Sequence, residues 1–527
     1  MIKQNLLLLL LCITAIGTTF AQDNKSKSAQ EWQKEQLNEM QKLEADQNKE
    51  MQDMTDERTK YIQRMDAEFS NYLKERWQEF HAFKGVKSSE KPKPVIPPVA
   101  KPVVFTPPVA QSPVVTPPVS KSPVVTSPVA KVPVVTPPVR PFEQVTPLPT
   151  KPLVNLPFVA VAPVVPVLPT IKKSGFPVQD INFAYYGTPI KLQYDLQLDA
   201  INIIGVGEDE ISNAWSELCK INYAPLVKDL FETRNRMNLN DWGYYQLIQQ
   251  FSDNAFHKDS QKSKFVTWFL LTKSGFKAKL GKENNQFLLM VAVKSDLYAV
   301  SFITVDDVKY YILSNYSNGS LFTYKNDFPE ATHMMDMAIP TIPTLALNLI
   351  KATVKMGEDS IVVKTNKNLL AFYNDYPQCD LEVYFNSQPS KLFQESIANI
   401  THGRTGEEAL AYLLSFIQHL NYQTDTEQFG KEKFMFPDEF FFFPASDCDD
   451  RATLFAYLSK EFVHFKAIGL NYTEHVSTAI AIPEWKSGDY IIYKNIRYTS
   501  CDPTYVGADV GMTMPKFKKV SANIIVP

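Results

Sequence analysis

The sequence predicts an α+β protein whose folded body begins near residue 172. Helical periodicity is interspersed with short runs of strand alternation from there onward, over about 355 residues, which is enough for two cores. Of the 37 prolines, 23 fall in residues 92–169. Proline lacks the N–H that ladders and helix interiors need, so that stretch does not pack as a domain. The sequence therefore predicts three segments before the folded body, at residues 1–21, 22–90 and 91–171. The body itself is predicted to have two parts, at residues 172–325 and 326–527.

Residues 1–21 have the form of a secretory signal. Lys3 supplies the positive charge, residues 6–16 the apolar segment, and residues 19–21 a small-x-small cleavage site. The apolar segment is too short to span a bilayer as a helix, and no later run of about 20 apolar residues follows. Cys12 follows Leu11 inside this segment and is interpreted as signal, not as a lipid anchor. We therefore expect an exported protein, periplasmic or secreted, without a transmembrane span.

Residues 22–84 predict a long amphipathic helix, because they contain neither glycine nor proline. Arg58 and Arg76 interrupt its apolar face, which has few Leu or Ile residues. Self-association as a loose coiled coil, docking onto the body and partial disorder all remain open. The apolar residues recur mostly three or four positions apart: Met51, Met54, Tyr61, Met65, Phe69, Tyr72, Phe80 and Phe83.

The proline-rich segment repeats Thr-Pro-Pro-Val or Thr-Ser-Pro-Val every ten residues, starting at Thr106, Thr116, Thr126 and Thr136. Such a sequence favours extended polyproline II, which has no internal hydrogen bonds. We interpret it as a spacer between the body and whatever residues 22–84 bind. A proline-rich docking ligand is the less favoured alternative in an exported protein. Removal of residues 22–170 is therefore expected to leave the body folded.

Composition excludes two classes of function. The chain has 54 basic and 57 acidic residues and no basic stripe that would neutralise phosphates, so no nucleic-acid partner is expected. Five cysteines in 527 residues exclude a disulfide scaffold, although one disulfide among Cys219, Cys379 and Cys501 remains open. No metal-ligand spacing of histidines and no phosphate-binding glycine loop occurs, so neither a metal nor a cofactor is predicted.

Within the body, helices are predicted around residues 211–232 and 241–256. Strands are predicted around 288–293, 297–304 and 308–314, with Asp306 and Asp307 as a turn between the last two. Further on, residues 405–408 have the form of a capping box before a helix at 409–420.

A candidate nucleophile follows an aromatic loop at residues 440–443, which we expect to wall a cleft beside a partly open thiol. Asp447 fits an N-cap, so Cys448 is the first residue of a helix. A thiol there lies at the positive end of the helix dipole, which favours the thiolate. Asp449 and Asp450 oppose this effect, so activation requires a nearby imidazolium.

His475 and Asp502 are the candidate partners of that thiol. His475 begins a strand at residues 475–482, whose face of small side chains is expected to receive the Cys448 helix. Asp502 ends a strand at 496–501, and the three residues are spaced 27 apart. Nucleophile, base and orienting carboxylate thus occur in the order that a thiol triad uses.

The triad requires a particular strand pairing. A plain meander through residues 475–482, 489–493 and 496–502 would place His475 and Asp502 at opposite ends of the sheet. Residues 483–495 must therefore form an excursion, after which the return strand pairs antiparallel with the His475 strand. Lys494-Asn495 is a plausible two-residue turn because Asn tolerates a left-handed conformation.

These residues resemble a known family. Residues 447–452 (Asp-Cys-Asp-Asp-Arg-Ala), with the helix and Phe-Lys-Ala-Ile-Gly at 465–469, resemble the nucleophile helix of the transglutaminase-like, papain-related thiol enzymes. Residues 474–476 (Glu-His-Val) and 500–505 (Ser-Cys-Asp-Pro-Thr-Tyr) are similar to its His strand and Asp-Pro-Thr element. The helix at 409–420, followed by Asn421-Tyr422, is similar to its lead-in helix. The resemblance covers about residues 400–510.

The resemblance implies a papain-related α+β domain over residues 326–527, in which Cys448 is the nucleophile, His475 the base and Asp502 its orienter. The reaction would cleave or transfer an amide or peptide bond through an acyl-thioester. The partner would be a peptide or protein, including the peptides of a cell wall. After the histidine, many members of the family have a small residue followed by Trp, whereas this chain has Val476-Ser477. No side chain can be assigned from the sequence as a hydrogen-bond donor to the oxyanion. The alternative is an inactive binding or scaffold protein of the cell envelope.

The first half of the body contains a similar pattern. Residues 265–271 and 276–281 resemble 452–458 and 465–469, and strands follow each. No cysteine occurs between Cys219 and Cys379, so such a copy could not carry the thiol. Residues 172–325 are thus either a degenerate copy or a coincidence of two helix–strand units.

Overall fold

The computed structural model describes residues 29–85, 177–257, 261–356 and 359–526. The predicted signal at 1–21 and the spacer at 91–171 lie outside these ranges. Among the described residues, none of the helices combines the length and the apolar character needed to cross a membrane.

The fold is mixed α+β, as the sequence predicts. Twelve α-helices occur in the described part of the chain: α1 Ala29–Leu73, α2 Gln197–Ala200, α3 Glu208–Leu218, α4 Ala224–Arg236, α5 Asp241–Phe256, α6 Gln261–Lys273, α7 Lys367–Asn374, α8 Leu381–Phe385, α9 Lys391–Ser396, α10 Gly406–Gln418, α11 Asp425–Phe429 and α12 Cys448–Phe462. Short 3₁₀ turns lie at Phe440–Phe442 and Pro515–Phe517.

Fifteen strands accompany these helices in the described residues. They are β1 Gln78–Phe80, β2 Val178–Tyr185, β3 Thr188–Asp195, β4 Ala278–Glu283, β5 Gln286–Ala292, β6 Phe302–Val305, β7 Val308–Ile312, β8 Leu321–Thr323, β9 Leu349–Met356, β10 Asp359–Asn366, β11 Lys466–Asn471, β12 Val476–Ala481, β13 Tyr490–Tyr493, β14 Ile496–Cys501 and β15 Asn523–Ile525. β2 with β3 and β9 with β10 form two-stranded hairpins.

Helix α1 is docked onto the body over its C-terminal part, which is one of the three alternatives that the sequence left open. Its side chains at Ile62, Met65, Phe69 and Leu73 are at most 4% exposed and belong to the main core. The chain then leaves the helix, and β1 pairs antiparallel with β8, so the predicted helix does not continue to residue 84. Because these side chains complete the core, the body is not independent of all residues before 171.

The N-terminal part of α1 is different. Leu37, Leu43, Met51 and Met54 are each more than half exposed. These exposed apolar side chains belong to the part of α1 that does not dock onto the body. Self-association stays a prediction for this part of the helix.

The first sheet has the order β1-β8-β4-β5-β7-β6. The strands predicted at 288–293 and 308–314 are confirmed as β5 and β7, and Asp306 and Asp307 form the tight turn with positive φ. The strand predicted at 297–304 is shorter, because Leu297 instead bridges to Cys379.

The helix predicted at 211–232 is two helices, α3 and α4. Pro225 occupies the first turn of α4, and proline cannot donate to a preceding turn. The same residue type is favourable where a helix begins, so the chain breaks before it. The predicted helix at 241–256 is confirmed as α5.

The second sheet has the order β13-β14-β12-β11-β15. β12 and β14 are antiparallel neighbours, with Thr478 opposite Cys501. β13 and β14 form a hairpin whose turn residues Lys494 and Asn495 have φ of 49° and 62°. The predicted excursion and turn are therefore confirmed, because β13 lies outside β14 at the sheet edge.

The two sheets share one topology. In each, a helix (α6 or α12) precedes five strands, and the order across the sheet is fifth, first, second, fourth, third. All neighbouring pairs are antiparallel in both. A shared order of five strands after a matching helix favours duplication over the coincidence of two units. β1 adds a sixth strand to the first sheet only.

The packing of β12 corrects one expectation. Val476 and Ile480 share the main core with the α12 residues Phe455 and Leu458. Ala479, on the small-residue face, packs instead in a separate cluster. Both faces of this strand are buried, so alternation alone does not tell which face receives the helix.

Candidate functional site

The N-terminus of α12 positions Cys448. Asp447 is the N-cap, and its Oδ1 accepts a hydrogen bond from the Asp449 amide at 3.2 Å. Asp450 Oδ2 accepts from the Asp447 amide at 3.2 Å, which completes a capping box. Cys448 is thus the first helical residue, where the backbone N–H has no partner within the helix.

The antiparallel pairing of β12 and β14 brings His475 and Asp502 together. The Nε2 of His475 lies 2.9 Å from Oδ2 of Asp502. The other carboxylate oxygen, Oδ1, accepts hydrogen bonds from the amides of Thr504 at 3.0 Å and Tyr505 at 3.2 Å. Asp502 is thereby fixed, and it contacts the imidazole through Nε2. Cys448 adjoins the same ring.

The pKa of His475 is raised although its side chain is buried. Burial by itself lowers its pKa, but the charge and hydrogen bond of Asp502, together with the adjoining Cys448, outweigh burial and raise the pKa to about 10. The site therefore supplies the imidazolium that the sequence argument required beside the thiol.

Two aromatic rings hold the imidazole plane. Phe517 stacks on His475 with a centroid distance of 5.0 Å and an interplanar angle of 18°. Tyr472 stacks in turn on Phe517 at 4.8 Å. Neither ring was assigned to the site from sequence. No local pattern marks Phe517, because it reaches His475 only through the fold.

Gln418 is a second residue that the sequence argument missed. Its Nε2 donates to the carbonyl oxygens of Asp502 and Ala508, each at 3.0 Å, and its Oε1 accepts from the Gly507 amide at 3.3 Å. Gln418 is the last residue of α10 and is buried. The lead-in helix thus fixes the loop that carries Asp502.

Tyr422 lies beside the thiol. Its main chain pairs with Ser446, two residues before Cys448, and the guanidinium of Arg451 lies 5.1 Å from its ring centroid. Its hydroxyl is buried and has no hydrogen-bond partner among the described residues. Burial first, then the charges of Cys448 and Asp447, raise the pKa of Tyr422, so the hydroxyl keeps its proton as a donor.

A group of carboxylates surrounds the helix start. Oxygens of Asp425, Asp447 and Asp450 lie within 4.8 Å of one another. Main-chain amides already donate to these carboxylates, including Lys433 N to Asp425 at 2.8 Å and Met435 N to Asp450 at 2.8 Å. Burial and the two neighbouring charges raise the pKa of Asp450 well above its usual range. We explain the group as the cap of α12 and assign it no metal.

The thiol is enclosed, which corrects the expectation of a partly open site. Cys448 is 1% exposed. The loop at 440–443 does not stand free as a cleft wall, because Phe441 stacks on Phe393 at 5.9 Å and Phe443 packs on Phe429 at 5.0 Å.

The described residues therefore bring Cys448, His475 and Asp502 into one site and add Tyr422, Gln418 and the stacked rings to it. Comparison with known proteins adds no assignment: no family profile, curated protein or solved structure matches this chain.

Proposed function

We propose that residues 326–527 form a transglutaminase-like thiol enzyme that cleaves or transfers an amide bond of a peptide or protein. The observation that carries the proposal is the position of His475, between the first residue of α12 and a fixed carboxylate. Nucleophile, proton carrier and orienter then stand in the relation that thiol catalysis needs.

In the proposed reaction, the Cys448 thiolate attacks the amide carbonyl carbon. The tetrahedral intermediate collapses as His475 gives its proton to the leaving amine, which yields an acyl-thioester and a free amine. The now neutral His475 takes a proton from an incoming water or amine, which attacks the thioester. Collapse of that intermediate releases the acid or the new amide and restores the thiolate–imidazolium pair.

Two donors would stabilise the oxyanion of each intermediate. The backbone N–H of Cys448 is one, because the first helical amide lacks an intrahelical partner. The hydroxyl of Tyr422 is the other in this proposal, since it is buried, keeps its proton and has no partner among the described residues.

Export, proposed from residues 1–21, would place this reaction at the cell envelope or outside the cell, where wall peptides are one substrate class. The rival function is a binding or scaffold protein that keeps the fold without turnover. The enclosure of Cys448, at 1% exposure, favours that rival.

Selective alkylation separates the two functions. Iodoacetamide at pH 6–7, followed by peptide mapping, should modify Cys448 well before Cys219, Cys379 and Cys501, because burial raises the pKa of those three thiols. A His475→Gln variant should lose the selectivity, and a Cys219→Ser variant should keep it. Equal, slow modification of all cysteines in the native protein would favour the scaffold.

A further inference from the structure

The hairpin of β9 and β10 packs on the body with one face and leaves the other face exposed. Successive side chains of a strand point to opposite faces of the sheet. On the inner face, Val354, Met356 and Val363 are at most 8% exposed and belong to the main core. The outer face is exposed along both strands and carries three lysines, which are Lys351, Lys355 and Lys364. The hairpin is thus fixed in place, with this outer face turned away from the core.

Two of the lysines lie directly opposite each other, Lys351 on β9 and Lys364 on β10. The amide of Lys364 donates to Ser396 Oγ at 3.0 Å instead of to β9, so the two lysines form a non-hydrogen-bonded pair, in which side chains come closest. Like charges at such a position destabilise a sheet. Within the described part of the chain, neither ammonium has an acidic partner at ion-pair distance. The fold therefore keeps a repulsive contact that its own packing does not require.

Apolar side chains are interleaved with these charges. Val362 lies opposite Thr353, between the lysine pair and Lys355, and is 46% exposed. Leu349 lies on the other side of the lysine pair and is 45% exposed, and Leu347, just before β9, is 65% exposed. The described positions of the outer face include no acidic residue. The face thus combines positive charge with exposed apolar groups.

This combination is complementary to the surface of an anionic lipid bilayer. The negative potential of such a surface attracts lysines that lie within a Debye length of it. Exposed apolar side chains can enter the boundary between headgroups and acyl chains, while the ammonium groups stay at the level of the phosphates. The main-chain groups between the two strands are already paired with each other, so contact with lipid leaves none of those ladder groups unsatisfied.

We propose that the outer face of the β9–β10 hairpin docks the protein reversibly onto an anionic lipid surface. This binding goes beyond the proposed amide chemistry. It involves neither Cys448 nor His475, so it stands whether or not the thiol is catalytic.

The test is cosedimentation of the chain from residue 22 onward with vesicles of phosphatidylcholine, pure or with about 30% phosphatidylglycerol. We expect the anionic vesicles to bind at least about tenfold more protein at about 50 mM salt and to lose this preference at about 0.5 M salt. Lys351→Glu combined with Lys364→Glu should reduce binding to the level of pure phosphatidylcholine. The matched control is Lys460→Glu with Lys466→Glu, which makes the same change in net charge at two exposed positions and should keep the preference.

A single variant separates loss of binding from loss of folding. Lys351→Glu places opposite charges across the hairpin, so it should weaken vesicle binding at least about fivefold while its Tm stays equal or rises. Unchanged binding, or a fall in Tm, would contradict the repulsion on which the proposal rests. Equal loss in the Lys460→Glu, Lys466→Glu control would mean that net charge alone governs binding, and would overturn the proposal.

The apolar groups distinguish a lipid surface from an acidic protein. Leu349→Ser with Val362→Thr keeps every lysine and should weaken binding to the anionic vesicles severalfold, but should not affect binding to polyglutamate. Wild-type protein that binds polyglutamate as tightly as the vesicles, together with vesicle binding that this variant does not alter, would overturn the proposal in favour of an acidic protein partner.

Discussion

Asp502, which raises the pKa of the buried His475, is itself held in place by groups other than the imidazole. Gln418 fixes the Asp502 carbonyl, and the amides of Thr504 and Tyr505 hold the carboxylate. An ionised carboxylate with this many donors can pair with an imidazolium without moving. The electrostatics of the site therefore depend on one loop conformation.

The first prediction at this scale concerns pH. The pKa of His475 is about 10 in the folded state, against an ordinary value of 6.5. A group with a raised folded pKa contributes stability that is complete below about pH 6.5 and lost as the pH rises through about 10. The urea midpoint of the wild type should therefore fall between these pH values more than that of His475→Gln. Parallel falls in both proteins would contradict the charged state of His475.

A second residue-scale prediction tests the role of Tyr422. Tyr422→Phe should lower kcat by about 10²- to 10³-fold, the usual effect of removing one oxyanion donor. Alkylation of Cys448 should stay unchanged, because iodoacetamide forms no tetrahedral oxyanion. Tyr457→Phe is the matched control, since that hydroxyl is also buried without a partner in the described structure but lies on α12. Equal losses of kcat in both variants would contradict the proposed role of Tyr422 as an oxyanion donor.

At the level of elements, α1 is held by more than apolar packing. Lys273, fully buried in α6, forms an ion pair with Asp66, and its ammonium lies 4.4 Å from the Phe328 ring centroid. Burial raises the pKa of Asp66, and Lys273 opposes that rise. Removing one partner of such a pair leaves an uncompensated buried charge.

Asp66→Ala should therefore destabilise the protein by about 3–5 kcal/mol. Glu68→Ala, two residues along the same helix, removes only an exposed pair with Arg64 and should cost less than about 1 kcal/mol. Urea unfolding of both variants checks this. Similar losses of unfolding free energy in the two variants would mean that the contact between α1 and α6 contributes little to stability.

On the scale of the whole molecule, α1 is held on the body by non-covalent packing rather than by the polypeptide that links them. Residues 86–176 link β1 to β2, and both ends of that link belong to the folded body. The ring of Phe69 on α1, for example, packs edge-on against the rings of Trp215 and Phe328, with centroid distances of 4.9 Å and 5.4 Å. Non-covalent contacts should therefore keep residues 29–85 in place without the link.

This expectation can be tested with a site for a specific protease inserted after residue 124. After cleavage, the fragment carrying α1 and β1 should co-elute with the body on size-exclusion chromatography. The same cut in a Phe69→Ala variant should release at least part of the fragment, since such truncations cost about 3–5 kcal/mol. Complete release from the wild type would restore the picture of two independent modules.

A residue of the site could be predicted from the sequence only where the pattern that marks it lies among its neighbours in the chain. The cap at Asp447, the thiol at position 448 and the turn at Lys494-Asn495 follow from short-range rules and could be read from neighbouring residues. Phe517 and Gln418 could not, because each reaches the site across the fold and leaves no periodic signal around itself.

The sequence by itself determined the mixed α+β class, most of the central helices and strands, and the chain order of thiol, imidazole and carboxylate. These properties follow from periodicity, capping and turn chemistry, which act over a few residues. Only the tertiary structure decided that α1 completes the core, which face of β12 receives α12, that the thiol is enclosed, and that both sheets share one strand order. Each of these depends on contacts between segments far apart in the chain, and apolar burial is non-directional, so the pattern of one segment does not specify its partner.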